Sequence, residues 1–141
     1  MRQFSKTVSI SAPPAVVWRI LADVDAWPQW TKSVTSVERV KQNAMASGAQ
    51  VRIVQPKLKP AVWTVTDWQP VQSFTWISKN PGVTVTAGHQ IIRTSEGCDV
   101  VLTIHFGGML GGLVGLFAGR LTSEYMALEA NGLKHRAQTM D

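Results

Sequence analysis

The sequence has 141 residues, 45% of them apolar and 16% charged, a balance that indicates a compact chain and argues against a largely disordered one. The formal net charge is +5, but the basic residues are scattered from Arg2 to Arg136. Because nucleic-acid binding needs a continuous basic face, we interpret these charges as a solvated surface and expect no nucleic-acid partner. Cys98 is the single cysteine, which excludes an internal disulfide and a cysteine-based metal cluster.

The N-terminal residues predict a strand. Phe4, Lys6, Val8 and Ile10 alternate with small polar residues, a pattern typical of a half-buried strand with one charged exception. No apolar leader precedes them, so we expect no secretory signal. Together with the lone cysteine, this favours a reducing, cytoplasmic location.

Residues 11–30 predict two short helices. Pro13 and Pro14 suit a helix start, Ser11 is a candidate cap, and an apolar helical repeat follows them. Pro28 forces a second turn between two tryptophans, Trp27 and Trp30. We interpret the tryptophans of this segment as structural side chains that hold the helices on a sheet.

The remainder predicts strands followed by one long helix. The strand segments are rich in β-branched and aromatic residues and are separated by turn residues: 34–40, 51–54, 62–68, 74–77, 83–93 and 100–106. With the first strand they make seven, which suggests an antiparallel meander. From Gly111 a helical period predicts up to about seven turns. The apolar, glycine-rich residues 106–121 are too few for a membrane span, so we expect none.

Three stretches carry a family resemblance: APPAVVW at 12–18, LADVDAWPQW at 21–30 and LEANGLK at 128–134. Here the chain resembles the START-related helix-grip (SRPBCC) superfamily, and within it the polyketide cyclase/dehydrase-like group. The resemblance covers residues 1–141 and implies a single α+β domain. In that fold a seven-stranded curved antiparallel sheet surrounds a long C-terminal helix, with two short helices after the first strand and an apolar cavity inside.

Strand alternation then predicts which side chains line the cavity. It places His89 inside and His105 outside. In residues 62–68 it favours Trp63 and Val65 inside, although Trp68 leaves the inward face of this strand open. The residues expected to contact a ligand, from the strands and the long helix, are Trp63, Phe74, Trp76, His89, Phe106, Leu113, Phe117, Leu121 and Tyr125.

Catalytic chemistry has few candidates in this sequence. His89 is the candidate catalytic residue, with Asp67 as its candidate partner; the alternative is a core histidine satisfied by the backbone. The three histidines fall on three different elements without a zinc-binding spacing, so no metal is expected. No glycine motif suited to holding phosphate follows a strand, and we expect no cofactor.

Two functions are consistent with these observations. The favoured one is binding of a hydrophobic small molecule, lipid-like or polyketide-like, in the cavity. The alternative is a metal-independent cyclase or dehydratase that acts on a ligand held there, since the resemblance includes both lipid carriers and cyclases. Both a monomer and a homodimer are compatible with the sequence.

Overall fold

The structure, a computed structural model, describes residues 2–140. Its core is a seven-stranded sheet crossed by one long helix. In chain order the elements are β1 (Arg2–Ile10), α1 (Pro14–Ala22), a 3₁₀ helix (Val24–Gln29), β2 (Ser36–Arg39), β3 (Gln50–Val54), β4 (Ala61–Gln69), β5 (Ser73–Asn80), β6 (Val83–Thr94), β7 (Gly97–Gly107) and α2 (Gly111–Thr139).

All neighbouring strands are antiparallel, in the order β1-β7-β6-β5-β4-β3-β2. The predicted helix-grip fold is therefore confirmed, including the position of both short helices. From β2 to β7, each strand pairs with the next strand in the sequence. Among the described strands, β1 is the exception, since it pairs with β7 and not with β2. Because neighbouring strands are antiparallel, β3, β5 and β7 run in the same direction and finish at the same side of the sheet. The start of α2, which follows β7, lies there too.

A β-bulge in β4 answers the question that the sequence left open. The pairing of β4 with β5 shifts register between Val65 and Asp67. Because one extra residue reverses the alternation, Val65 opposes Trp76 and Trp68 opposes Phe74, all on the inner face. Trp63, Val65 and Trp68 thus point inward together, although strict alternation cannot place them on one side.

The segment after β1 serves as a wedge between the sheet and α2. The helix α1 begins at Pro14, and its start has no side-chain cap, so the expected capping role of Ser11 is wrong. The indole of Trp27 donates a hydrogen bond of 3.0 Å to the Leu21 carbonyl, which ties the 3₁₀ helix to α1. Both rings of the pair Trp27 and Trp30 are buried, at a centroid distance of 5.2 Å.

The long helix approaches its neighbours closely at glycines. A Cβ at Gly115 would lie against the Arg2 side chain of β1, and one at Gly119 would touch the Phe4 ring at 3.4 Å. A Cβ at Gly132 would overlap the carbonyl oxygen of Trp30. The helix therefore rests on β1 and on the tryptophan segment, which leaves its other side free to face β3–β6. Within residues 2–140, no helix combines the length and apolarity that a membrane crossing requires.

We expect opposite results from two glycine substitutions in α2. Gly132→Ala should destabilise the protein by about 1–3 kcal/mol, because backbone at Trp30 must move to admit the methyl group. Gly119→Ala places its methyl group at ordinary contact distance and should be neutral or stabilising by up to about 1 kcal/mol, the helix-propensity gain. Urea denaturation of both variants measures the difference; equal values would contradict the close approach at Trp30.

Candidate functional site

A cavity of about 330 Å³ lies between α2 and the inner face of the sheet. Its sheet wall comes from β3–β7, and its helix wall runs from Val114 to Glu129, a length of about 22 Å at 1.5 Å per residue. The lining residues Leu58, Lys59 and Asn80 are exposed, so the cavity opens there, between the β3–β4 loop and the β5–β6 turn. We call this opening the mouth.

The closed end of the cavity is aromatic. Trp27, Trp63 and Trp76 line it, and the Trp76 ring lies 5.3 Å from Trp27 and 5.9 Å from Trp63, centroid to centroid. Behind this wall, Phe74 is fully buried and stacks on the His89 ring at 4.0 Å and 11°. Such a wall offers flat apolar contact area and is held rigidly by ring-to-ring packing.

One polar pair stands among these rings. His89 Nε2 lies 3.4 Å from Glu129 Oε1 of α2, and both residues line the cavity. The two side chains are only 4% and 17% exposed. Glu129 Oε1 is buried and has no hydrogen-bond partner within the described part of the chain, so it is available to a donor on a ligand.

The hydrogen bonding of His89 indicates which ring nitrogen faces the cavity. His89 Nδ1 lies 3.2 Å from the Phe74 carbonyl oxygen, which can only accept, so Nδ1 carries a hydrogen. Nε2 is then the ring nitrogen that faces Glu129 Oε1 and the cavity. This arrangement can donate or accept a proton inside an apolar cavity.

The mouth is braced by a contact from the helix. The Tyr125 hydroxyl donates a hydrogen bond to the Pro56 carbonyl oxygen, linking α2 to the β3–β4 loop. Burial raises the pKa of Tyr125, and the neighbouring Glu124 carboxylate raises it further. Both effects favour the protonated hydroxyl, which is the form that donates this bond.

We expect Tyr125→Phe to destabilise the protein by about 0.5–1.5 kcal/mol near pH 7, the usual net value of one hydrogen bond. Since the folded pKa is raised above the unfolded value of about 10, the contribution is complete below pH 10 and is lost as the pH rises through the folded pKa. Urea denaturation of wild type and Tyr125→Phe at pH 7 to 11 measures this. A stability difference that does not shrink above pH 10 would contradict the assignment.

Six of the predicted ligand-contacting residues line the cavity: Trp63, Trp76, His89, Phe106, Leu121 and Tyr125. Their contact with a ligand stays a prediction. Phe74 supports the wall from behind and is not part of its surface. Leu113 and Phe117, by contrast, are 55% and 80% exposed and do not line the cavity, so their predicted inward position is wrong.

The error at Leu113 and Phe117 has a physical cause. The prediction assumed that the largest apolar side chains of α2 point inward. In the structure, Val114, Ala118 and Thr122 are the side chains at this end of α2 that line the cavity. The helix rests on β1 through Gly115 and Gly119. Small residues permit this close packing, so the buried face of α2 begins with its smallest side chains and the bulky ones are left outside.

Sequence reasoning also missed functional candidates. Asp67 is exposed and accepts a hydrogen bond from Gln69, so its expected pairing with His89 is wrong and Glu129 takes that place. Trp27, interpreted as purely structural, also forms part of the cavity wall. The spacing Leu121, Tyr125, Glu129 was a signal for Glu129, since residues four apart share one helix face.

The remaining histidines lie apart from this site. His105 is on the outer face of β7, and His135 is exposed near the end of α2. Among residues 2–140, no three His, Cys, Asp or Glu side chains come together in a way that could hold a metal ion. The single cysteine, Cys98, is buried, and burial raises its pKa, with a further increase from Asp99.

Solved structures with the same architecture come from several bacteria. The Zhui aromatase/cyclase from Streptomyces sp. R1128 is 20% identical, with a TM-score of 0.77 over 96% of this chain and 93% of that one. A START superfamily protein from Mycobacterium smegmatis is 17% identical, with a TM-score of 0.76 over 99% of each chain. A protein from Thermus thermophilus is 22% identical, with a TM-score of 0.76 over 96% of this chain and 97% of that one. At these identities the likeness establishes the fold. No curated protein matches the sequence.

A family model described as "Polyketide cyclase / dehydrase and lipid transport" matches residues 1–138. The match covers nearly the whole chain, including the residues that line the cavity. It agrees with the resemblance carried by the tryptophan segment and by the end of α2. The chain therefore belongs to the polyketide cyclase/dehydrase and lipid-transport family.

Proposed function

We propose that this protein binds a hydrophobic small molecule in the cavity between α2 and the sheet. The observation that carries the proposal is a 330 Å³ space with mainly apolar walls and the His89–Glu129 pair at its inner end. Most small-molecule sites have this composition, in which apolar walls supply affinity and a few polar groups fix orientation.

The position of the polar pair indicates the form of the ligand. An apolar body would lie against Trp63 and Trp76, with one carbonyl or hydroxyl group directed at His89 and Glu129. A ligand group that both accepts and donates hydrogen bonds satisfies an imidazole nitrogen and a carboxyl oxygen best. Hydroxylated aromatic or polyketide-like molecules and protonated fatty acids meet this description.

The test is to extract the purified protein with organic solvent and to identify apolar molecules by mass spectrometry. Quenching of tryptophan fluorescence by a fluorescent fatty acid then provides an affinity. Trp63→Ala should weaken this affinity about tenfold or more, while Trp68→Ala, which leaves the cavity wall intact, should preserve it within about threefold. Failure to bind any apolar probe, with no extracted ligand, would overturn the proposal.

One observation favours a second candidate, a cyclase-type reaction. The His89–Glu129 pair can take a proton from the carbon between two carbonyl groups of a bound polyketone and return it to the oxygen of the carbonyl that the resulting enolate attacks. The carbon–carbon bond then forms without any change of oxidation state. Deuterium exchange at that carbon in a 1,3-diketone probe measures the first step. His89→Gln and Glu129→Gln should each slow the exchange at least about a hundredfold.

A further inference from the structure

The fold gathers exposed apolar side chains around the mouth of the cavity. Met109 and Phe117 are 97% and 80% exposed, the highest values among the large apolar residues of the described chain. With them stand exposed Leu110, Leu113 and Leu116 from the start of α2, and Leu58 from the β3–β4 loop. We call these six side chains the mouth patch. Scattered single exposed apolar residues are ordinary, but a cluster at one end of a molecule marks a contact surface.

These residues belong to one end of the structure. Leu110 N donates a 2.7 Å hydrogen bond to the Gly82 carbonyl, which joins the start of α2 to the β5–β6 turn. Leu58 lines the same cavity as Val114 and Ala118, the helix neighbours of Leu113 and Phe117. The mouth patch therefore lies beside the opening through which a cavity ligand must pass.

The charges nearest the mouth are mainly basic, and Glu124, beside Tyr125, is the nearby acidic residue of α2. In the segments that form the mouth, residues 55–60, 79–83 and 107–122, every charged side chain is basic: Lys57, Lys59, Lys79 and Arg120. Acidic residues such as Asp23, Asp25, Glu96 and Asp99 lie toward the opposite end, at the short helices and the β6–β7 turn. The basic residues are scattered along the sequence, but the fold brings these four to the rim of the apolar surface.

From this juxtaposition we infer that the mouth patch docks on an anionic phospholipid bilayer, with the cavity opening toward the lipid. Exposed apolar side chains flanked by Lys and Arg match an interface with acyl chains below and phosphate groups around them. A protein partner would have to present an acidic rim around an apolar centre, whereas an anionic membrane offers both by composition. The inference concerns the surface and does not depend on which ligand occupies the cavity.

Vesicle flotation tests this with the full chain and vesicles of phosphatidylcholine containing 0 or 40% phosphatidylglycerol. Wild type should bind the anionic vesicles and lose that binding as NaCl is raised, because salt screens the basic rim. Lys57→Gln/Lys59→Gln should weaken the binding about 25-fold, since each basic residue near an anionic surface contributes about fivefold. Lys41→Gln/Arg93→Gln removes the same charge at the other end and should stay within about twofold.

The apolar part is tested by Met109→Ser/Phe117→Ser, which should weaken binding at least about tenfold. Val40→Ser/Ile92→Ser, at exposed positions away from the mouth, is the matched control. Equal binding of both double variants, or no binding of wild type, would overturn the inference. So would a wild-type dimer in gel filtration that Met109→Ser/Phe117→Ser converts to monomer, since the patch would then bind a second copy. Affinity for the fluorescent fatty acid, measured on the same variants, shows separately whether the cavity still functions.

Discussion

Phe74→Ala should destabilise the protein by about 3–5 kcal/mol, the typical cost of removing a fully buried aromatic ring. The Phe74 ring packs against five others: Trp18, Trp27, Trp68, Trp76 and His89. Its loss would leave a hole behind the cavity wall, into which the remaining large rings cannot collapse without moving β5 or α1. Urea denaturation followed by tryptophan fluorescence measures the change.

The matched control is Phe117→Ala, the same chemical change on a ring that is 80% exposed. It should alter the free energy of unfolding by no more than about 0.5 kcal/mol. The sequence alone predicts the opposite for Phe117, because it was expected to face the cavity. A large loss of stability in Phe117→Ala, or a small one in Phe74→Ala, would contradict the orientation of α2 and β5 described above.

The difference between these two phenylalanines shows what the sequence can predict. Strand positions followed reliably from alternation: Phe74, Trp76 and His89 were expected on the inner face, and the structure places them there. A pleated strand has only two faces, so one well-chosen residue fixes the orientation of all the others. The β4 bulge is the exception, since one extra residue breaks the rule and nothing in residues 61–69 indicates it.

The inward face of helix α2 was harder to predict, because a helix can adopt many orientations about its own axis. Its inward face depends on how closely it packs against β1, and that distance is set by Gly115 and Gly119. Glycines carry little weight in a hydrophobic pattern, so the larger Leu113 and Phe117 dominated the prediction. The same error concealed Glu129, and with it the partner that His89 has on the cavity wall. Of the two polar residues at the centre of the site, the sequence therefore predicted His89 and missed Glu129.

Blocking the cavity should have the largest effect on function. Ala118 is a small side chain on the cavity face of α2, one turn from Leu121 and Thr122, which also line the cavity. Ala118→Trp should place an indole in the space between the helix and the β5–β6 hairpin, where a ligand enters. We expect affinity for a fluorescent fatty acid to fall at least about a hundredfold, because the apolar area that drives binding is then covered by the protein itself.

Ala127→Trp is the matched control, since Ala127 lies on the same helix, is partly exposed and is not part of the cavity wall. It should bind the probe within about threefold of wild type. Stability measurements on both variants show whether a loss of affinity comes from a blocked cavity or from an unfolded protein. A folded Ala118→Trp protein that still binds the probe at full affinity would show that the ligand binds elsewhere. If instead Ala118→Trp loses the cavity probe but still floats with anionic vesicles, the mouth patch and the cavity act as separate surfaces. Ligand exchange would then begin with docking and be completed by entry past Ala118.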